Sequence, residues 1–282
     1  MVLSNSSTTV TQNLTSSTNN STHPSMGTFL FDKIIFGPIY SRRLGQSLGL
    51  NLLPTGLKIC TFNCVYCECG WTETNKGEFV STTDYESALE LKLAQMVENG
   101  EIADALTFAG NGEPTLHPHF GEIIDITIKL RDKYMSKGQI AVLSNSTTLD
   151  RSDVFDALLK VDQAIMKLDA GSEHMFRLIN QPNSSITLNK IVQQLKRFNG
   201  NLIVQTLLLK GIVGEEIIDN TTTDELQLLG EHLQLIHPHT LMLYSIARGT
   251  PLETLSKVEQ QELEEAKTFL QKFIPESKIQ IY

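Results

Sequence analysis

Four cysteines, Cys60, Cys64, Cys67 and Cys69, are the chain's full complement, and all fall in Cys60-Thr61-Phe62-Asn63-Cys64-Val65-Tyr66-Cys67-Glu68-Cys69. Clustering of this kind marks a site rather than scattered small core residues. Cys60, Cys64 and Cys67 stand at helical spacing, which would make one buried stripe, but Pro54, Gly56, Asn63 and Gly70 load the segment with turn formers. A structural zinc site needs four tetrahedral ligands, usually two C-x2-C pairs set apart; one C-x2-C is present and no histidine lies near it. Disulfides belong to oxidising compartments, and these spacings are too short for a stapled framework. Three thiolates on a short loop suit an iron–sulfur cube, whose irons are held by cysteines. Three ligands leave one iron of such a cube open to bind something else.

A loop of that kind needs a framework, and the 282 residues are enough for one catalytic domain, expected over 27–282. Residues 1–26 are Ser, Thr and Asn with hardly a charge, a tract expected to be disordered. It has neither the basic start and apolar core of a signal peptide nor the arginines of a transit peptide, and Met26 offers an alternative start. Strand-like and helix-like segments then alternate. Strands are expected at Leu48–Leu53, Asp104–Ala109, Ile140–Asn145, Gln163–Leu168, Leu202–Leu209 and Thr240–Ile246, each followed by a helix. A capping box at Thr83-Asp84-Tyr85-Glu86 should open the first helix, a second should start near His117, and Ser256 with Glu259 should cap the last. Lys278–Ile281 reads as an edge strand. Strands that each precede a helix argue for an α/β fold with a parallel sheet, open or curled into a barrel.

Polar residues sit at the ends of these strands. Gly110-Asn111-Gly112-Glu113-Pro114 follows the second strand; alone it is a sharp reversal, while its glycines would also let backbone approach a ligand. Glu113 could hold the loop by accepting backbone N–H groups. Ser144-Asn145-Ser146 and Lys167-Leu168-Asp169 end the third and fourth strands, where caps and solvated ends compete with function. Lys167 and Asp169 alternate onto the same side of their strand, so an ion pair between them is the expected use of the lysine.

The C-x3-C-x2-C pattern with Tyr66 before the last cysteine resembles the signature of the radical S-adenosylmethionine enzymes, and Gly110 to Pro114 resembles their Gly-Gly-Glu-Pro motif with Asn111 as a departure. The resemblance implies an incomplete, TIM-like (β/α)6 barrel of parallel strands, with the chemistry at the strands' carboxyl ends. It implies that Cys60, Cys64 and Cys67 hold a [4Fe-4S] cluster whose open iron binds S-adenosyl-L-methionine, Cys69 being a packing residue. Tyr66, Gly110, Asn111, Gly112, Glu113, Pro114, Asn145, Lys167 and Asp169 then become cofactor-binding candidates, with Glu113 implied as an acceptor for the methionine ammonium. Reductive cleavage of S-adenosyl-L-methionine would give a 5′-deoxyadenosyl radical that abstracts hydrogen from a substrate, with a flavodoxin or ferredoxin as electron donor. Gly37 to Gly45, Asp219 to Thr222 and Tyr244 to Pro251 resemble a single-cluster oxidoreductase branch related to the wyosine-forming tRNA enzymes. Arg42, Arg43 and Arg248 are expected either to bind an anion or to form exterior ion pairs.

Composition limits the partners. Lys and Arg total 23 against 32 Asp and Glu, a net charge of -9, which gives no general attraction to nucleic acid or anionic lipid and so does not favour tRNA. No apolar run approaches the roughly 20 residues of a membrane span, and clustered free thiols suit a reducing cytoplasm. No cysteine lies outside 60–69, so auxiliary clusters are not expected. A zinc-stabilised binding protein and an iron–sulfur electron carrier stand as the alternatives of another class.

Overall fold

The computed structural model describes residues 28–74 and 76–282; the expected disordered tail lies outside them. Six strands, β2 (Gly45–Leu50), β3 (Ala105–Phe108), β4 (Gln139–Ser144), β5 (Gln163–Lys167), β6 (Ile203–Leu207) and β9 (Thr240–Tyr244), pair in parallel in that order. The helices between them are α1 (Thr82–Glu98), α2 (Phe120–Tyr134), α3 (Ser152–Leu158), α4 (Glu173–Asn180), α5 (Leu188–Lys196) and α6 (Thr223–Ile236), and α7 (Gln260–Leu270) follows β9. This is the partial (β/α)6 barrel, and it is open. Antiparallel β1 (Ile35–Ser41) extends one edge as a hairpin with β2, and β11 (Lys278–Ile281) extends the other in parallel with β9.

Each helix buries one stripe. Tyr85, Leu89, Leu93 and Met96 of α1 recur every three to four residues and are wholly buried. The strands' outer faces meet these stripes in one large core containing Leu48, Leu106, Phe108, Val142 and Val204. Inward-facing side chains alternate with them. Ala141, Ile165, Ile203 and Met242 form a small separate plug inside the barrel, packed by Leu44, Leu143 and Tyr282. One step further along the same strand faces stand Lys167 and Gln205, which are paired in register.

Several boundaries differ from expectation for local reasons. The first helix is capped by Ser81, which accepts from the Asp84 N–H at 3.0 Å, because the same cap pattern occurs two residues before Thr83. The second helix begins at Phe120, not His117: Pro114–Leu116 first make a 3-10 turn, and the His117 side chain is drawn to the Val80 carbonyl at 2.7 Å. The expected strand Leu202–Leu209 divides at Leu208, whose N–H bonds to the Tyr244 carbonyl. From there β7 (Leu209–Val213) leaves the barrel to pair with β8 (Glu216–Asp219) and β10 (Leu255–Lys257) in a second, antiparallel sheet. Ser256 belongs to β10, and Glu259 caps α7 in a reciprocal box with Glu262. No described helix is long and apolar enough to cross a membrane.

Candidate active site

The cysteines lie on the segment between β2 and α1, none of whose described residues belongs to a helix or strand. Its shape comes from backbone bonds to distant segments. Ile59 N–H donates to Asn111 C=O at 2.9 Å, and Glu113 N–H returns to Ile59 C=O at 3.0 Å. Asn63 and Val65 donate to the carbonyls of Asn180 and Ile179, each at 3.0 Å, at the end of α4. Asn183 donates its backbone N–H to Thr61 C=O at 2.9 Å and its side-chain amide to Cys60 C=O at 2.9 Å. Within the loop, Cys67 N–H turns back to Cys64 C=O and Gly70 N–H to Cys67 C=O. Gly112 has φ +130°, and a Cβ there would lie 1.8 Å from the Ile59 carbonyl oxygen, so this close approach of two backbones requires glycine.

The outcome is a cavity of about 190 Å³ on the carboxyl side of the strands, into which all four cysteines face. Of the candidates read from the sequence, Tyr66, Gly110, Gly112, Glu113, Asn145 and Lys167 also line it. Asn111, Pro114 and Asp169 stand behind its wall. The Asn111 side chain points the other way: Oδ1 accepts from Phe31 N–H at 2.8 Å, while Nδ2 donates to the carbonyls of Phe31 and Pro54 at 2.9 and 2.8 Å. Pro114 opens the 3-10 turn. Asp169 accepts from Tyr66 Oη–H at 2.5 Å, Asn180 Nδ2 at 2.8 Å and Leu207 N–H at 2.9 Å. It thereby ties the cysteine loop to α4 and β6.

Glu113 is buried with both carboxylate oxygens engaged, Oε1 by the Thr115 N–H and hydroxyl and Oε2 by Asn145 N–H at 2.6 Å. These are bonds that hold the loop, and a ligand ammonium would have to share the same oxygens. Burial pushes the Glu113 pKa up against those donors. Lys167 has Nζ 2.7 Å from the Tyr244 hydroxyl and 3.6 Å from Asp169 Oδ1, an ion pair as expected. Burial disfavours its charge, but Asp169, Tyr244 and Cys64 outweigh this and raise its pKa. Arg43 stacks on the Tyr244 ring at 4.6 Å and Arg248 pairs with Glu68 at 2.8 Å.

The thiols are not equivalent. Burial raises the Cys60 pKa, and raises that of Cys64 to about 11. The Cys67 pKa is lowered, first by a hydrogen bond from Cys69 and then by Lys58. The Cys69 proton has two acceptors in reach, the Cys67 sulfur and the Gly110 carbonyl at 3.3 Å, which raises its own pKa. Amide donors also point at the sulfurs: Asn145 Nδ2 lies 3.5 Å from Cys60 Sγ and Asn180 Nδ2 lies 3.5 Å from Cys64 Sγ.

Three contributors were not foreseen: Lys58, Asn180 and Gln205. Gln205 lines the cavity at 4 % exposure, and its Nε2 is buried with no hydrogen-bond partner. Its signal was available, since a glutamine amid Ile203, Val204 and Leu207 sits at the inward parity of a central strand. Lys58 and Asn180 carry no such mark.

Against known proteins, the model of the radical SAM superfamily matches residues 56–220. The chain belongs to that superfamily. Members of that superfamily are enzymes that use a [4Fe-4S] cluster and S-adenosyl-L-methionine. Two relatives of this radical SAM protein cover it in part. The protein named GTPase Obg of Brachyspira hyodysenteriae is 32% identical over 245 residues, 85% of this chain and 34% of that protein. The UPF0026 protein MJ1312 of Methanocaldococcus jannaschii is 36% identical over 186 residues, 64% of this chain and 55% of that one. The chain thus spans about a third and about half of these two relatives' lengths. Neither name carries the wyosine assignment. Among solved structures, a radical SAM methyltransferase from Sphaerobacter thermophilus superposes with a TM-score of 0.61 at 13% identity, covering 84% of this chain and 65% of that one. That is a likeness of fold.

Proposed function

We propose that Cys60, Cys64 and Cys67 hold the superfamily's [4Fe-4S] cluster in the cavity, with one iron left to S-adenosyl-L-methionine, and that residues from 27 onward act as one catalytic unit. The observation that carries this is that the three thiols line one cavity together with the buried, unpartnered Nε2 of Gln205. A buried donor without an acceptor costs about 1–3 kcal/mol, a penalty that a bound ligand would remove. The donor set suits a cluster better than one ion: among the described residues no three His, Cys, Asp or Glu side chains converge on a single metal position. When bound, the cluster supplies the low-potential electron that splits the sulfonium carbon–sulfur bond and so opens hydrogen-abstraction chemistry.

The chain's own residues do the positioning. Asn145 and Asn180 aim N–H donors at two sulfurs, which favours their thiolate forms. Gly112 lets the Glu113 loop pack directly on the residue before Cys60. Lys167 and Gln205, adjacent on β5 and β6, offer N–H donors to a ligand's oxygen or nitrogen acceptors. A flavodoxin or ferredoxin in a reducing cytoplasm is the fitting electron source.

The test is anaerobic reconstitution of the wild type and of Cys60→Ala, Cys64→Ala and Cys67→Ala, followed by iron analysis, visible spectra and deoxyadenosine measurement after dithionite reduction. The wild type should turn brown and form deoxyadenosine, and each variant should lose both. A colourless protein with one zinc per chain would make it a binding protein instead, and a cluster indifferent to S-adenosyl-L-methionine would make it an electron carrier.

A further inference from the structure

Lys58 belongs to none of the motifs that identify the chain, yet it is only 4 % exposed and stands in the wall of the thiol-lined cavity. Lysine is almost never buried so deeply without a partner. Its Nζ donates to Gly70 C=O at 2.7 Å, which anchors it at the far end of the cysteine loop. That bond uses one of the three ammonium hydrogens. The rest of the ammonium stands in the same cavity wall as Cys60, Cys64 and Cys67. A neutral donor would hold the Gly70 carbonyl equally well, so the loop's shape alone does not account for a charged group whose burial is unfavourable.

We propose that Lys58 is a positioning residue that acts through the cluster, its ammonium serving as a built-in counter-charge that raises the cluster's reduction potential. This rests on the assignment of Cys60, Cys64 and Cys67 as the ligands. With a cluster bound beside Lys58, one electron from the external flavodoxin or ferredoxin would add one negative charge to the site. A fixed positive charge in a low-dielectric wall favours the more negative, reduced state. The site thus takes its electron more readily than three buried thiolates alone would allow.

The experiment compares reconstituted wild type, Lys58→Arg, Lys58→Gln and Lys58→Met by iron content and by redox titration followed by electron paramagnetic resonance. Lys58→Gln keeps an N–H donor and removes the charge. At a given ambient potential, Lys58→Gln and Lys58→Met should show a reduced-to-oxidised ratio at least tenfold lower than the wild type, a midpoint about 59 mV more negative for one electron. Lys58→Arg should restore the wild-type midpoint. Loss of iron from the two neutral variants but not from Lys58→Arg would express the same need for charge at assembly and support the proposal. A Lys58→Gln midpoint equal to the wild type at equal iron content, or equal shifts in Lys58→Gln and Lys58→Arg, would overturn it while leaving the ligand assignment intact. A cluster fully retained in Cys60→Ala would overturn the assignment, and this inference with it.

Discussion

Replacing Asn111 by glycine would restore the superfamily's Gly-Gly-Glu-Pro pattern, and the structure says that this restoration is harmful. The Asn111 side chain makes three hydrogen bonds, to Phe31 N–H, Phe31 C=O and Pro54 C=O, and its residue is wholly buried. At about 1 kcal/mol net for each bond, losing all three costs about 3 kcal/mol. Glycine adds roughly 0.4–1 kcal/mol through the freedom it gives the unfolded chain. Asn111→Gly should therefore lose about 3–4 kcal/mol and Asn111→Ala about 3 kcal/mol. Urea unfolding of the metal-free chain at pH 7, followed by circular dichroism, reads the difference without any cofactor. The exposed Asn99, bonded only to exposed Glu101 through its side chain, supplies the control; Asn99→Ala should stay within about 0.5 kcal/mol of wild type. A loss below about 1 kcal/mol in Asn111→Gly would show that these bonds do not pin the loop and would refute the reasoning.

Two further outcomes follow from the geometry. Gly112→Ala places a methyl group against the Ile59 carbonyl, so the cysteine loop should part from the Glu113 loop, and reconstituted protein should bind less than a tenth of the wild-type iron; full iron content would contradict the packing. His117 donates through Nε2 to the Val80 carbonyl and accepts the His119 N–H at Nδ1, so the folded state holds it neutral. Burial lowers its pKa. The unfolded chain then binds the proton more readily, and the stability that His117 contributes is present above about pH 6.5 and lost as the pH falls below it. The urea midpoint should drop between pH 7 and pH 5.5 by less in His117→Gln than in the wild type, and equal drops would sink the assignment.

The cysteine loop and the Gly110–Pro114 turn could be read from the sequence because their chemistry is local: residue type and short spacing are sufficient. The strand–helix alternation could be read for the same reason, since parallel strands buried on both faces are continuous apolar runs. β1 was missed because Gly37 and Pro38 look like a loop, whereas its pairing with β2 is irregular between Phe36 and Ile39 and accommodates them. The division at Leu208 was hidden because Leu207, Leu208 and Leu209 are alike and only the second sheet's partners distinguish them. In the site, Asn111 is a candidate only through the motif it interrupts; the direction of its side chain is set by Phe31 and Pro54, far away in sequence. Lys58 resembled an ordinary surface lysine, and only the tertiary fold shows what encloses it.

The cysteine loop borrows its shape from residues that are made much later. Asn183, which grips the carbonyl of Cys60, follows it by 123 positions. At roughly 5–20 residues per second of translation, the thiols emerge from the ribosome about 6–25 seconds before the segment that fixes their spacing. For that interval the loop has its own turn bonds and those to Asn111 and Glu113, but not the grip of Asn183 on Thr61 and Cys60. Metal delivery is therefore best placed after the segment around Asn183 has been made, and guarding the nascent thiols from oxidation until then falls to the cell rather than to the fold.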